Sequence, residues 1–214
     1  MIKKTVLIVA ISFGLGVISN AQTNEIKPQG IFKEIKVEVQ NRTVESLQSK
    51  DKKKKQETID AIIKNPNSYN PPVIYALSNE LFNLGKKDDA AFWFYVGQLR
   101  ARYDANLSLD KSSGQAVAVL NNEYGSRINK YAFKDIKKLE NTVNKSVNFV
   151  RSNEENYDHR WINLHGMWAI ESGLEGGSET LELSQPKEKF AEIKKTTVDE
   201  YYNDFMEFVK SQKK

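Results

Sequence analysis

The sequence of 214 residues contains no cysteine. That absence excludes disulfides, a metal site built on thiolates, a cysteine nucleophile and a lipid-modified N-terminal cysteine. Histidine, the usual acid, base or metal ligand near neutral pH, occurs only twice. The protein must therefore be stabilised by core packing alone, and few residues are available for histidine-based chemistry.

The chain also lacks a strong excess of charge of one sign. It has 32 basic and 28 acidic residues, and without Lys3 and Lys4 the balance is 30 against 28, a net charge of +2. So small a surplus does not favour nucleic-acid binding. The concentrated basic run at residues 50–55 is typical of a solvated helix start or a linker.

Long apolar runs are confined to the N-terminus. Lys3 and Lys4 precede an uncharged apolar run over residues 5–19, and small side chains follow up to Ala21. This pattern is typical of a secretory signal peptide. The run has about 15 residues, short of the ~20 needed to span a bilayer, which disfavours the alternative of a retained anchor. We predict cleavage after Ala21, export to the periplasm or the medium, and no transmembrane segment in the mature protein.

Hydrophobic residues make up 39% of the chain, enough for a packed core. Their spacing predicts helices over residues 57–63, 71–84, 90–103, 136–150 and 185–208. The segment 90–103 is apolar almost all round, which indicates a central helix packed by neighbours on several sides. We therefore predict an all-α fold, a single helical bundle around the helix 90–103.

Other segments have weaker patterns. Residues 31–39 partly alternate between apolar and polar, which favours one minor strand, with a helical turn as the alternative. The remaining irregular segments are predicted as a polar loop over 104–114, a short helix closed by Gly125, and a largely irregular crossing over 159–177. The domain organisation predicted is a signal peptide at 1–21, a flexible or weakly structured segment at 22–56 and a helical domain at 57–214.

One pair of predicted helices has a recognisable spacing. Leu77, Ser78 and Leu81 lie on the first helix, Gly85 at the turn, and Ala90, Phe94 and Gly97 on the second. Residues 73–100 thereby resemble a tetratricopeptide-like helical hairpin, without a convincing second copy. The wider pattern from Pro71 to Phe133 also resembles small exported bacterial proteins of no assigned function, which supports export and implies no activity.

The two histidines are the first candidates for chemistry. His159 and His165 are six residues apart, whereas a helical zinc motif has a spacing of four with a glutamate between. A structural role for both is the favoured interpretation, and no metal or other cofactor is predicted. Of the two, His165 is the better candidate for a functional role, because Gly166 beside it permits close approach of a ligand.

Two groups of residues are candidates for binding a partner. Tyr95, Gln98 and Arg102 share one side of the central helix, and Arg100 stands near Trp93, on whose indole it can stack. The aromatic group around Trp161, His165 and Trp168 is the second candidate surface. For both groups the alternative is structural, with polar atoms satisfying buried partners and rings filling the core.

No complete catalytic constellation is evident in the sequence. Tetratricopeptide-like hairpins present helix faces to peptides and proteins, so the resemblance implies a non-enzymatic, exported interaction module with a protein or peptide partner. One concrete form is an immunity or inhibitor protein in the periplasm. Two alternatives stay open: a cell-envelope hydrolase using His165 with a nearby carboxylate, and a small-ligand carrier with an apolar pocket.

Overall fold

The computed structural model describes residues 27–212, so the predicted signal peptide lies outside the described part. The fold is all-α, as predicted. Across the described residues the α-helices are α1 (Glu38–Gln48), α2 (Lys52–Lys64), α3 (Pro71–Asn83), α4 (Lys87–Leu107), α5 (Gln115–Ala132), α6 (Ile136–Ser152), α7 (Met167–Glu175) and α8 (Phe190–Gln212). Short 3-10 turns lie at Gly30–Glu34, Pro66–Ser68, Lys111–Gly114, His159–His165 and Lys187–Lys189.

Helices α3 and α4 form the hairpin at the centre of the fold. Asn70 caps α3 by accepting the Val73 N–H, and Pro71 and Pro72 occupy the first turn, where no amide donor is needed. Gly85, with φ of +80°, supplies the left-handed conformation that ends α3. Residues 73–100 therefore span two adjacent helices, and their likeness to a tetratricopeptide-like hairpin stays a prediction.

Helix α4 is the central helix, as its nearly continuous apolar pattern predicts. It packs against α3, α5, α6 and α8. Its buried side chains include Phe94, Val96 and Leu99, which lie in the main core together with residues of every one of those helices. A helix surrounded in this way buries its polar residues too, and Arg100 and Asp104 are both fully buried on α4.

The predicted strand at residues 31–39 is wrong. Residues 30–34 form a 3-10 turn, and α1 begins at Glu38. The apolar residues of this segment do not form one face of a strand. Instead, Phe32 and Ile35 pack with Ala169 and Leu183 in a small second core. The segment 22–56, predicted to be flexible or weakly structured, contains α1 and the start of α2, and Val44 and Leu47 of α1 are buried in the main core.

Three other boundaries differ from the sequence prediction. Helix α4 continues to Leu107 instead of ending in a loop after Tyr103, and α8 begins at Phe190, after a 3-10 turn, instead of at residue 185. Gly125 does not end a helix but lies inside α5, where a Cβ would come within 3.0 Å of the Phe94 ring. That glycine serves the close packing of α5 on α4.

The segment 159–177 is more regular than predicted. It consists of the 3-10 turn His159–His165 followed by α7. Asp110 stabilises the junction, because one carboxylate oxygen accepts the Trp168 N–H at 3.0 Å and the other accepts the Ser112 N–H at 3.0 Å. Gly166 stands against that carboxylate, where a Cβ would overlap it.

Candidate functional site

A cleft of about 640 Å³ opens between the end of α6 and the first turns of α8. Its volume lies within the range of roughly 300–1,000 Å³ that is usual for ligand sites. The cleft is lined by Tyr103, Arg151, Glu154, Glu155, His159, Lys187, Phe190, Ala191, Lys194, Lys195, Val198 and Asp199. They come from α4, α6, the segment after α6, the 3-10 turn Lys187–Lys189 and α8, so the cleft is built from five parts of the chain that meet beside the C-terminal half of α4.

His159 lies at the inner wall of the cleft and is held by Asp104. The imidazole Nδ1 is 2.6 Å from Asp104 Oδ1, and the histidine side chain is 17% exposed while the aspartate is fully buried. The rings of Tyr103, Tyr157 and Phe190 surround the imidazole, with centroids at 5.3, 5.0 and 5.8 Å. The orientation of the imidazole is therefore fixed from all sides but one, the side that faces the cleft.

Asp104 is a shared acceptor inside the protein. Its Oδ2 accepts the Trp161 indole N–H at 2.6 Å and the Tyr157 hydroxyl at 3.1 Å. These donors satisfy a carboxylate that burial would otherwise penalise heavily. Because α4 continues past Tyr103, this carboxylate is placed directly behind His159.

The buried pair changes the acidity of both groups. Burial lowers the pKa of His159, but the hydrogen bond and the charge of Asp104, together with Glu155 and Asp158, outweigh it, so the net pKa is raised above its usual value. Burial raises the pKa of Asp104, and the hydrogen bonds from His159 and Trp161 oppose that rise. The arrangement therefore favours a protonated His159 at the wall of the cleft.

A second buried carboxylate, Glu155, lies beside the pair. Its Oε2 accepts Lys194 Nζ at 2.7 Å, and its Oε1 is 3.4 Å from Arg100 Nε. Arg100 is fully buried, donates to the carbonyl of Pro66 at 2.9 Å, and lies over the Phe149 ring at 5.4 Å. The predicted stacking partner, Trp93, is thus replaced by Phe149, which Trp93 itself contacts at 5.5 Å.

At the outer rim of the cleft, the carboxylate of Asp199 also lies between two cations, but here the side chains are exposed to solvent. Asp199 Oδ1 is 2.6 Å from Arg151 Nη2, and Asp199 Oδ2 is 3.0 Å from Lys195 Nζ. These side chains are substantially exposed, and the two hydrogen bonds lower the pKa of Asp199. The rim therefore keeps Asp199 ionised between two cations.

The first predicted partner-binding surface is covered by the chain's own terminal helix. Gln98 Oε1 accepts the Tyr201 hydroxyl at 2.7 Å, and the Arg102 guanidinium lies 5.2 Å from the Tyr201 ring. Tyr95 is buried, donates to Asn129 Oδ1 at 3.1 Å, and packs on Phe205. Residues on that side of α4 therefore contact α5 and α8, with Arg102 exposed at its edge.

The second predicted surface is divided between the core and the 3-10 turn. Trp161 is 2% exposed and donates to Asp104, while Trp168 is half-buried in the small second core with Phe32. His165 packs edge-on against Trp161 at 5.5 Å, and burial lowers its pKa to about 4. His165 is therefore neutral near neutral pH, and His159, not His165, is the histidine that lines the cleft.

Sequence reasoning missed the charged residues that build this site. Asp104 was assigned to a loop, and Glu155 and Lys194 were not singled out. Asp104 and His159 are 55 positions apart in the chain, and Glu155 and Lys194 are 39 positions apart. A local signal exists only at Asp158, which begins the 3-10 turn by accepting the Arg160 N–H at 2.9 Å, one residue before His159.

Comparisons with known proteins leave the site to be interpreted from its geometry. Within residues 27–212, no helix has the length and apolarity needed to cross a membrane, and no cluster of three or more acidic or histidine side chains is arranged to hold a metal ion. No family model matches the sequence, and neither a curated protein nor a solved structure is significantly similar to it.

Proposed function

We propose that this protein is an exported, non-enzymatic interaction module that binds a peptide or protein segment in the cleft beside His159. The observation that carries the proposal is the cleft itself, about 640 Å³ in volume and lined by fixed charges next to aromatic rings. Export is the expectation from residues 1–21. An inhibitor or immunity protein of the periplasm is the concrete form that we favour.

The charges in the cleft are held in place before any partner arrives. Glu155 is buried against Arg100 of α4, Asp104 of α4 is buried against His159 and Trp161, and Lys194 is fixed by bonds to Glu155 Oε2 at 2.7 Å and to the Asn153 carbonyl at 2.6 Å. Side chains that are already ordered lose little conformational entropy on binding. This preorganisation supports recognition of a defined segment.

The cleft is more accessible to a partner than the first predicted surface, which comprises Tyr95, Gln98 and Arg102. Tyr95 and Gln98 already have partners within the chain, so a partner protein would have to displace α8 to reach them. By contrast, Lys187 and Ala191 line the cleft with exposed side chains. A partner can reach these residues without any rearrangement of the bundle.

One observation favours a second function, a hydrolase of the cell-envelope type. The pair of Asp104 and His159, with its 2.6 Å contact, has the geometry by which a carboxylate orients a histidine for proton transfer. In this alternative His159 takes the role that the sequence assigned to His165. The prediction that separates the two is turnover of a cleft-bound substrate, abolished by His159→Gln.

Site-specific photo-crosslinking in the intact bacterium tests the interaction proposal. A photoreactive amino acid replaces Ala191 in the cleft, and a matched variant carries it at the exposed Lys64 on α2, which does not line the cleft. We expect a discrete adduct of one partner from position 191 and none from position 64. Adducts at neither position, or equal adducts at both, would show that the cleft is not an interaction site.

A further inference from the structure

Two carboxylates of the cleft, Glu155 and Asp199, are each shared by two cations. Glu155 lies between Arg100, at 3.4 Å, and Lys194, at 2.7 Å. Asp199 lies between Arg151, at 2.6 Å, and Lys195, at 3.0 Å. Each group of three side chains therefore keeps one positive charge that its own carboxylate does not neutralise.

The cleft as a whole also carries a small excess of positive charge. The lining includes the basic residues Arg151, Lys187, Lys194 and Lys195 and the acidic residues Glu154, Glu155 and Asp199, four against three. His159, when protonated, balances the Asp104 behind it. The surplus is thus about one or two positive charges, which suits a monoanion better than a multiply charged group.

An apolar surface lies next to these charges. Phe190 and Ala191 are accessible on the α8 side of the cleft, with the buried Val198 next to them, and the buried Tyr103 lies on the α4 side, where its hydroxyl donates to the Phe190 carbonyl at 3.3 Å. A ligand that fits must therefore carry a single negative charge and an apolar group close together. The last residue of a peptide has both on one Cα atom.

We propose that the cleft binds the C-terminal carboxylate of a peptide chain, with an aromatic or aliphatic final side chain against Phe190 and Ala191. This inference rests on the proposed function and names the chemistry of its partner. Lys187 provides the positive charge that is not paired with an acidic residue, and His159, whose charge Asp104 balances, offers an imidazole N–H at the inner wall. The exposed carboxylate of Glu154 is placed to accept a backbone N–H from the same peptide.

Binding of two matched peptides to the purified protein tests the inference. The probes are acetyl-Ala-Phe with a free carboxylate and the same dipeptide with a C-terminal amide, measured by calorimetry at pH 6 and low salt. We expect the free acid to bind at least about tenfold more tightly, because charge-assisted hydrogen bonds are lost in the amide. Equal affinities, or no binding of the free acid up to millimolar concentration, would overturn it.

Two lysines of the same 3-10 turn give a matched pair of variants. Lys187 lines the cleft and Lys189 does not, although both are exposed and both substitutions remove one charge. We expect Lys187→Gln to weaken binding of the free acid by about two- to fivefold and Lys189→Gln to leave it unchanged. Equal losses in both variants would show a diffuse charge effect and reject the site.

These outcomes are independent of the crosslinking experiment. If position 191 crosslinks a partner but the acid and the amide bind equally, the interaction function stands and the carboxylate inference fails. If position 191 captures nothing and the acid still binds through Lys187, the carboxylate site stands as a site for a free small carboxylic acid, and the protein-interaction proposal fails.

Discussion

His159 Nδ1 lies 2.6 Å from Asp104 Oδ1, so the histidine at the cleft wall is oriented by a carboxylate that is itself completely buried. The pair joins the 3-10 turn after α6 to the central helix. Because Trp161 of the turn and Tyr157 just before it donate to the same carboxylate, one aspartate organises three side chains within residues 157–161. The electrostatics of the cleft therefore depend on a residue that does not line it.

Replacing Asp104 by Asn should lower the pKa of His159. The substitution keeps an acceptor for Trp161 but removes the charge that offsets the cost of burying the imidazolium. NMR titration of the imidazole protons measures the change. The chain has two histidines, so His165, with its pKa of about 4, serves as an internal reference that should not move. An unchanged His159 titration would show that Asp104 does not control its charge.

The free energy of unfolding should fall as the pH drops below neutrality, because burial makes His165 harder to protonate in the folded state than in the unfolded state. Its folded pKa is lowered to about 4, whereas an unfolded histidine titrates near 6.5. The stabilising contribution is therefore complete above about pH 6.5 and is lost as the pH falls toward 4. Between pH 7.5 and pH 5.0 the loss is on the order of 2 kcal/mol of unfolding free energy.

Urea denaturation at those two pH values checks this expectation. Comparison with His165→Gln isolates the histidine from the carboxylates, which titrate in both proteins. We expect the variant to lose less stability than the wild type over the same interval. The same pH dependence in both proteins would show that His165 titrates normally in the folded state.

The fold was largely predictable because its helices show their periodicity in the sequence. The apolar residues of α4 and α6 recur at helical spacing, and Pro71 and Gly85 mark the two ends of α3. What failed was the assignment of polar residues near helix ends. Asp104 was taken as the start of a loop, since nothing nearby in the chain indicates that a polar residue there is buried.

The site was less predictable for a related physical reason. Glu155 is polar and lies in a turn, and its burial is explained by Arg100 and Lys194, which come from two other helices. Ion pairs between segments far apart in the chain produce no periodic pattern in the amino-acid sequence. Likewise, Gln98 was correctly placed on one side of α4, but the sequence does not show that Tyr201 of α8 occupies that side.

Gly166→Ala should destabilise the protein by about 1–3 kcal/mol. A Cβ at this position would overlap the Asp110 carboxylate, which accepts the Trp168 N–H at the start of α7. Gly114→Ala is the matched control, because its nearest neighbour would be the Ala105 Cβ at 3.9 Å and its φ is −58°. Thermal unfolding should show a lower midpoint for the first variant and no loss for the second. Similar midpoints in both would refute the proposed crowding.

Arg100→Met should be among the most destabilising single substitutions, because it removes a fully buried cation from Glu155. Breaking a buried pair from one side costs about 3–5 kcal/mol, since the partner charge stays buried. In Arg100→Met/Glu155→Gln the unfolding free energy should fall by less than the sum of the two single losses, by about 1–3 kcal/mol. Arg151→Met, at the exposed pair with Asp199, is the control and should cost less than about 1 kcal/mol.

If the losses at Arg100 and Glu155 are additive, their 3.4 Å contact contributes no interaction energy. The Pro66 carbonyl and the Phe149 ring are then what hold Arg100 in the core.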